Sequence, residues 1–138
     1  MTLNNPKGGM GYAAEFQSSA LPFTTSSQAM TGVTYKIEFP KIARFICVKN
    51  HEAAGNHLRL GFTKNGVEGG NHYKVDGGTG AGSEIALELR VKEIFIRSDG
   101  TFSPSYSIIA GLTNIDASMM PLLSGTLPDG SAGWSGVG

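Results

Sequence analysis

The stretch from Ser83 to Ile115 constrains this chain more than any other. It reads SEIALELRVKEIFIRSDGTFSPSYSIIAGLTNI and holds three successive runs in which apolar and polar residues alternate. Ile85, Leu87, Leu89 and Val91 point one way, and Ala86, Glu88 and Arg90 the other. Ile94 and Ile96 oppose Phe95 within Glu93–Arg97. After Asp99-Gly100 and Pro104, alternation resumes with Tyr106, Ile108, Ala110 and Leu112. Side chains on a strand change face at every residue, so each run buries one face and wets the other. The spacing predicts the back half of an antiparallel, all-β core, in which Leu87→Ala costs about 2–5 kcal/mol if Leu87 lies inside.

The front half carries the same signal. Leu21–Ser27 reads as a short edge strand, with Pro22 near its start, where a missing N–H is tolerated. Val33, Tyr35, Ile37 and Phe39 alternate with Thr34, Lys36 and Glu38 in a strand that Pro40 is expected to end. Arg44–Lys49 is apolar on both faces, as in a strand covered on both sides or facing a partner. Leu58, Leu60 and Phe62 alternate next, and Asn65-Gly66 is a hairpin signal. Tyr73 and Val75 form a short strand within a glycine-rich loop. Asp116 is placed to cap one helical turn ending at Pro121. The expected fold is a single jelly roll or β-sandwich of about eight antiparallel strands spanning residues 21–115. A flexible N-terminal arm (1–20) precedes it and a glycine-rich C-terminal tail (116–138) follows.

No motif in the chain frames a chemistry. Gly77–Gly82 resembles a phosphate loop in composition, but a strand-patterned run follows it, not a helix, and no Gly-Lys-Ser/Thr closes it. His51, His57 and His72 are spaced by 6 and 15 residues, which matches no zinc signature. No nucleophile elbow or carboxylate pair frames the serines and acids. Cys47 is the lone cysteine, expected as a small buried hydrophobe without a disulfide partner. The expectation is a non-enzyme with no catalytic residues, no cofactor and no metal. Lys36, Lys41, Arg44 and Lys49 are the densest basic cluster, and solvated strand faces account for them.

Charge then bears on partners. Eleven basic and eleven acidic residues balance, so no global field favours nucleic acid or an anionic membrane. Charged residues are 16% of the chain, against about 25% in an average soluble domain. A chain this sparsely charged tolerates packing against other protein. No apolar run approaches 18 residues and no leader pattern opens the chain, so neither a membrane span nor secretion is expected. The aromatics of the flanking segments, Tyr12, Phe16 and Trp134, together with Leu127, are candidate partner contacts, because an isolated aromatic ring on an extended segment commonly acts as an anchor.

The order of runs VTYKIEFP, RFICVKN, HLRLGFTKNGV, HYKV, EIALELRVKEIFIRS and SYSIIAGLTNI resembles the small single jelly-roll vertex (penton) or minor capsid proteins of icosahedral double-stranded DNA viruses. The closing Ile-Ala-Gly-Leu-Thr-Asn-Ile is the most family-like piece. The likeness lies in strand order and texture and covers about 80 of 138 residues. It implies a structural virion protein, made in the host cytoplasm and placed in the capsid. It also implies a homo-oligomer, in the vertex proteins a pentamer, that contacts neighbouring capsid proteins through loops and terminal arms. A trimeric phage capsid-decoration or fibre-head protein fits the same size and β content. A carbohydrate-binding β-sandwich, with Trp134, Tyr73 and His72 forming a stacking surface, is the third class.

Overall fold

The computed structural model describes residues 21–78 and 83–120. Seven strands make up the body: β1 (Leu21–Gln28), β2 (Thr34–Asn50), β3 (Leu58–Gly61), β4 (Tyr73–Val75), β5 (Glu84–Leu87), β6 (Val91–Ser98) and β7 (Ser105–Asp116). A five-residue helix, α1 (Lys64–Glu68), follows β3, and one 3-10 turn (Ala117–Met119) follows β7. All pairings are antiparallel.

The 17-residue strand β2 organises the rest. Its first part, Thr34–Glu38, pairs with β6 in one register, and the register shifts before Ala43 meets Val91. Its second part pairs with β7 along one edge and with β5 along the other. Pro40 therefore does not end the strand, contrary to the sequence expectation. It lies, exposed, within the register shift, where a residue lacking an N–H breaks no regular ladder. With β2 counted as two, eight strands form two four-stranded halves, in the spatial orders β1-β7-β2-β5 and β2-β6-β3-β4. Apart from the β3–β4 pair, successive strands cross between the halves, which is the wrapping of a jelly roll.

The inner faces of both halves close on a single core. Ile46, Val48, Ile108, Ala110 and Leu112 come from one half, and Leu58, Leu60, Val75, Ile94 and Ile96 from the other. Phe23 of β1 meets Phe39 of β2 edge-to-face, with ring centroids 5.0 Å apart, a favoured aromatic geometry. The residues that alternate inward in the sequence lie inside or pack against the core, except Val33, which precedes β2 and is exposed. A second, smaller cluster of Ile42, Ile115 and Met120 sits beside the register shift. There Thr113 Oγ1 donates to the Ile42 carbonyl at 2.8 Å.

Two local expectations are corrected. Asn65-Gly66 makes no hairpin. Thr63 takes the N-cap position of α1 with extended backbone, and its buried hydroxyl accepts the Gly66 N–H at 2.9 Å, so capping prevails over the turn signal. Asp116 sits at the cap position of the 3-10 turn but makes no cap hydrogen bond. Its carboxylate instead accepts from Lys41 Nζ at 2.6 Å.

The loops after β2 and β4 lock together. Asn50, fully buried, donates to the carbonyls of Asn56 and Val75 and accepts the Glu52 N–H. The Gly78 N–H donates to the Glu52 carbonyl at 2.6 Å. A Cβ on Gly77 would overlap the Ala53 carbonyl oxygen, a backbone atom that cannot swing aside. Gly77→Ala is therefore expected to destabilise by about 1–3 kcal/mol, in the range of overpacking. Chemical denaturation should show this as a lower midpoint with an unchanged slope.

Candidate functional site

The two halves present outer faces of opposite character. Outside β2-β6-β3-β4 lies a row of Thr34, Arg97, Arg59 and Lys74, one residue per strand. Lys36 and the Glu38–Glu93 pair follow along the strands. These charges are compensated in place. Lys36 Nζ lies 2.8 Å from Glu38 and 3.1 Å from Glu93. Those bonds raise the Lys36 pKa and lower that of Glu38. Arg97 donates to Thr34 Oγ1 at 2.9 Å, and Thr34 in turn donates to Glu68 at 2.8 Å.

Asp99 joins the network from the loop after β6. It holds Arg59 Nε at 2.5 Å and Lys74 Nζ at 3.0 Å. Burial pushes its carboxyl pKa up, but the hydrogen bonds and charges of Arg59 and Lys74 together outweigh this and leave it lowered. Four basic side chains (Lys36, Arg59, Lys74, Arg97) thus meet four acidic ones (Glu38, Glu68, Glu93, Asp99).

The outer face of β1-β7-β2-β5 is nearly free of charge. Its central row is Thr24, Ile109, Cys47 and Ala86, one from each strand. A second row, Pro22, Gly111 and Phe45, is also uncharged. Among the paired rows the one that carries charges is Ser26, Ser107, Lys49 and Glu84, at one end of the face, and Glu88, exposed just beyond β5, keeps the outward phase of Glu84 and Ala86. Ile109 remains 48% exposed there. An open groove of about 490 Å³ runs over this face, lined by Thr24, Ser26, Cys47, Lys49, Glu84, Ser107 and Ile109 among others. No aromatic ring lines it, so it offers a sugar no stacking platform.

Cys47 is not the buried hydrophobe expected from the sequence. Its side chain points to the outer face because Ile46 and Val48 take the core side. The thiol donates to Glu84 Oε1 at 3.0 Å. Partial burial, then the bond to Glu84 and its negative charge, push the thiol pKa up to about 11. The nucleophilic thiolate is therefore scarce near neutrality.

The other expected features stay apart. His51 Nε2 lies 2.7 Å from Ser107 Oγ, which also shares a hydrogen bond of 2.8 Å with Ser26 Oγ. Among the described residues no carboxylate orients His51, so this is a hydroxyl chain along the face and not a catalytic triad. His57 Nδ1 lies 3.0 Å from Asp76, in the locked loops. Among the described residues no group of three or more His, Cys, Asp or Glu is placed to hold a metal ion. None of their helices is long and apolar enough to cross a membrane. Of the basic cluster, Lys36 and Lys49 lie on opposite outer faces, and Lys41 pairs with Asp116 at 2.6 Å. Tyr12, Phe16, Leu127 and Trp134 lie outside the described residues, as do residues 79–82 of the glycine run.

The uncharged face was not read from the sequence, because Thr24, Cys47, Ala86 and Ile109 become neighbours only through strand register. One local signal did exist. Ile109 is the apolar residue that breaks the alternation of Tyr106, Ile108 and Ala110. The chain matches no protein-family model and no curated protein sequence.

Proposed function

We propose that this chain is a structural, non-catalytic virion protein, a vertex (penton) component that assembles as a pentamer and contacts neighbouring capsid proteins. The observation that carries this reading is a jelly-roll body with one ion-paired outer face and one nearly uncharged outer face. Solvated faces of a free-standing domain normally intersperse charges. A face this poor in charge, with an exposed isoleucine near its middle, suits burial against protein. A closed ring buries two different surfaces of each subunit, and the nearly uncharged outer face is suited to be one of them. The sequence resemblance to vertex proteins points in the same direction, and under it the place of action is the capsid.

The deciding measurement is the mass of the purified full chain by light scattering, with class-averaged electron microscopy of the same peak. Five copies of the 14.5 kDa chain in a ring support the reading. A trimer overturns it in favour of a capsid-decoration or fibre-head protein. A species that stays monomeric both alone and when mixed with its capsid shells overturns self-assembly altogether.

A further inference from the structure

Sheet edges are where one polypeptide adds a strand to another, and folded proteins ordinarily guard them with charge, brevity, proline or bulges. Three of the edges here are guarded. β5 has four residues and begins with Glu84, and β4 has three with Lys74 at its centre. The first part of β2 carries Lys36 and Glu38 and runs into Pro40 and the register shift. The fourth edge, β1, differs. It is eight residues long, reads LPFTTSSQ with no charge, and pairs with β7 from Leu21 to Gln28 without a register shift. Its proline stands second, leaving six residues beyond it with backbone donors. Among the described residues nothing pairs with its outer side. It also borders the uncharged face.

We propose that the free edge of β1 is a strand-addition site whose occupant is the segment preceding β1, residues 1–20, of a second copy of this chain. The inference rests on the self-assembly reading above. The segment matches the edge in charge, carrying only Lys7 and Glu15 among its 20 side chains. Twenty residues reach about 65 Å when extended, against a radius of gyration of about 13 Å for a body of this size. The segment therefore has the length to leave its own subunit and lie along another.

A hairpin back onto its own β1 is less well served. It would need a tight turn within Gln17-Ser18-Ser19-Ala20, which contains no Gly, Asn, Asp or Pro.

In an antiparallel strand successive amides point alternately to the two neighbours, so the seven β1 amides (Pro22 has none) divide into a set facing β7 and a set facing the free edge. Hydrogen–deuterium exchange of the full chain, in assembled and dilute monomeric samples, reads the two sets separately. The expected result is that the edge-facing set slows roughly tenfold or more on assembly, together with amides within residues 1–20. The double variant Ala13→Pro/Glu15→Pro, which removes two backbone donors from the added segment and leaves the uncharged face untouched, should keep the wild-type circular dichroism spectrum but weaken association by roughly tenfold or more. A pentamer whose edge-facing amides exchange as in the monomer overturns this inference and leaves the assembly reading intact. Protection already present in the monomer means the segment folds onto its own subunit, and it also overturns the inference. So does protection without residues 1–20, or a proline variant that assembles as the wild type does. A chain that never associates removes both readings.

Discussion

Ile46→Ala is expected to destabilise the protein by about 3–5 kcal/mol, the upper part of the range for truncating a buried aliphatic side chain. Ile46 is fully buried in the second part of β2, flanked by Leu87 of β5 on one side and Ala110 of β7 on the other. A cavity there opens where both halves of the body meet. Neighbouring strands are held on both edges and cannot collapse into the space, so the lost contacts are not recovered. Leu87→Ala is the informative comparison. Leu87 packs against the same core but is only half-buried, on a four-residue strand with a single neighbour. Its truncation should cost about 1–2 kcal/mol, in proportion to the smaller apolar area withdrawn from water. Equilibrium urea unfolding of both variants measures the difference. Equal losses would mean that β5 is as deeply enclosed as β2.

That comparison also marks where the sequence was sufficient. The alternation of Tyr106, Ile108, Ala110 and Leu112 assigns the inner face of β7 unaided, because period-2 patterning and burial are one physical fact on a strand covered on one side. The same holds for Ile94 and Ile96. It fails where a residue's fate depends on its neighbours across the sheet. Leu87 and Ile46 look alike in sequence, but only β2 has a strand on each edge. Cys47 lies in a run apolar on both faces, and that run does not say which side is the core. Pro40 looked like a terminus because its local effect is to remove a donor. Here the removed donor falls in a register shift, so the strand continues from one half of the body into the other. At Asn65-Gly66 two local rules compete, and the hydroxyl of Thr63 decides for the helix. The uncharged outer face was the least legible feature. Thr24, Cys47, Ala86 and Ile109 come from four strands, and no window of sequence contains more than one of them.

Asp99→Asn is expected to cost about 1.5–2 kcal/mol at neutral pH, in the lower range for hydrogen bonds to a charged group. The side chain of Asp99 is only 9% exposed and serves two cations, whereas Lys74 at 55% can turn its charge to water. Arg59 keeps its bonds to the carbonyls of Val67 and Glu68, which limits the loss. An asparagine can still accept one hydrogen bond from Arg59, but not as a charge. The pH dependence separates the charge from the shape. The folded-state pKa of Asp99 lies below its ordinary value, so the unfolded chain takes up its proton first as the solution is acidified. The carboxylate's contribution is thus fully present above the unfolded aspartate value near 4 and is lost as pH falls through the lower folded value. Wild-type and Asp99→Asn stabilities, followed by thermal or urea unfolding from pH 7 downward, should therefore differ most above about pH 5 and converge below pH 4. Glu38, whose pKa is also lowered, is present in both proteins and cancels in the difference. A gap that stays constant down to pH 2 would mean that the loss comes from altered packing at the end of β6. In that case the ion pairs of Arg59 and Lys74 with Asp99 do not hold the loop.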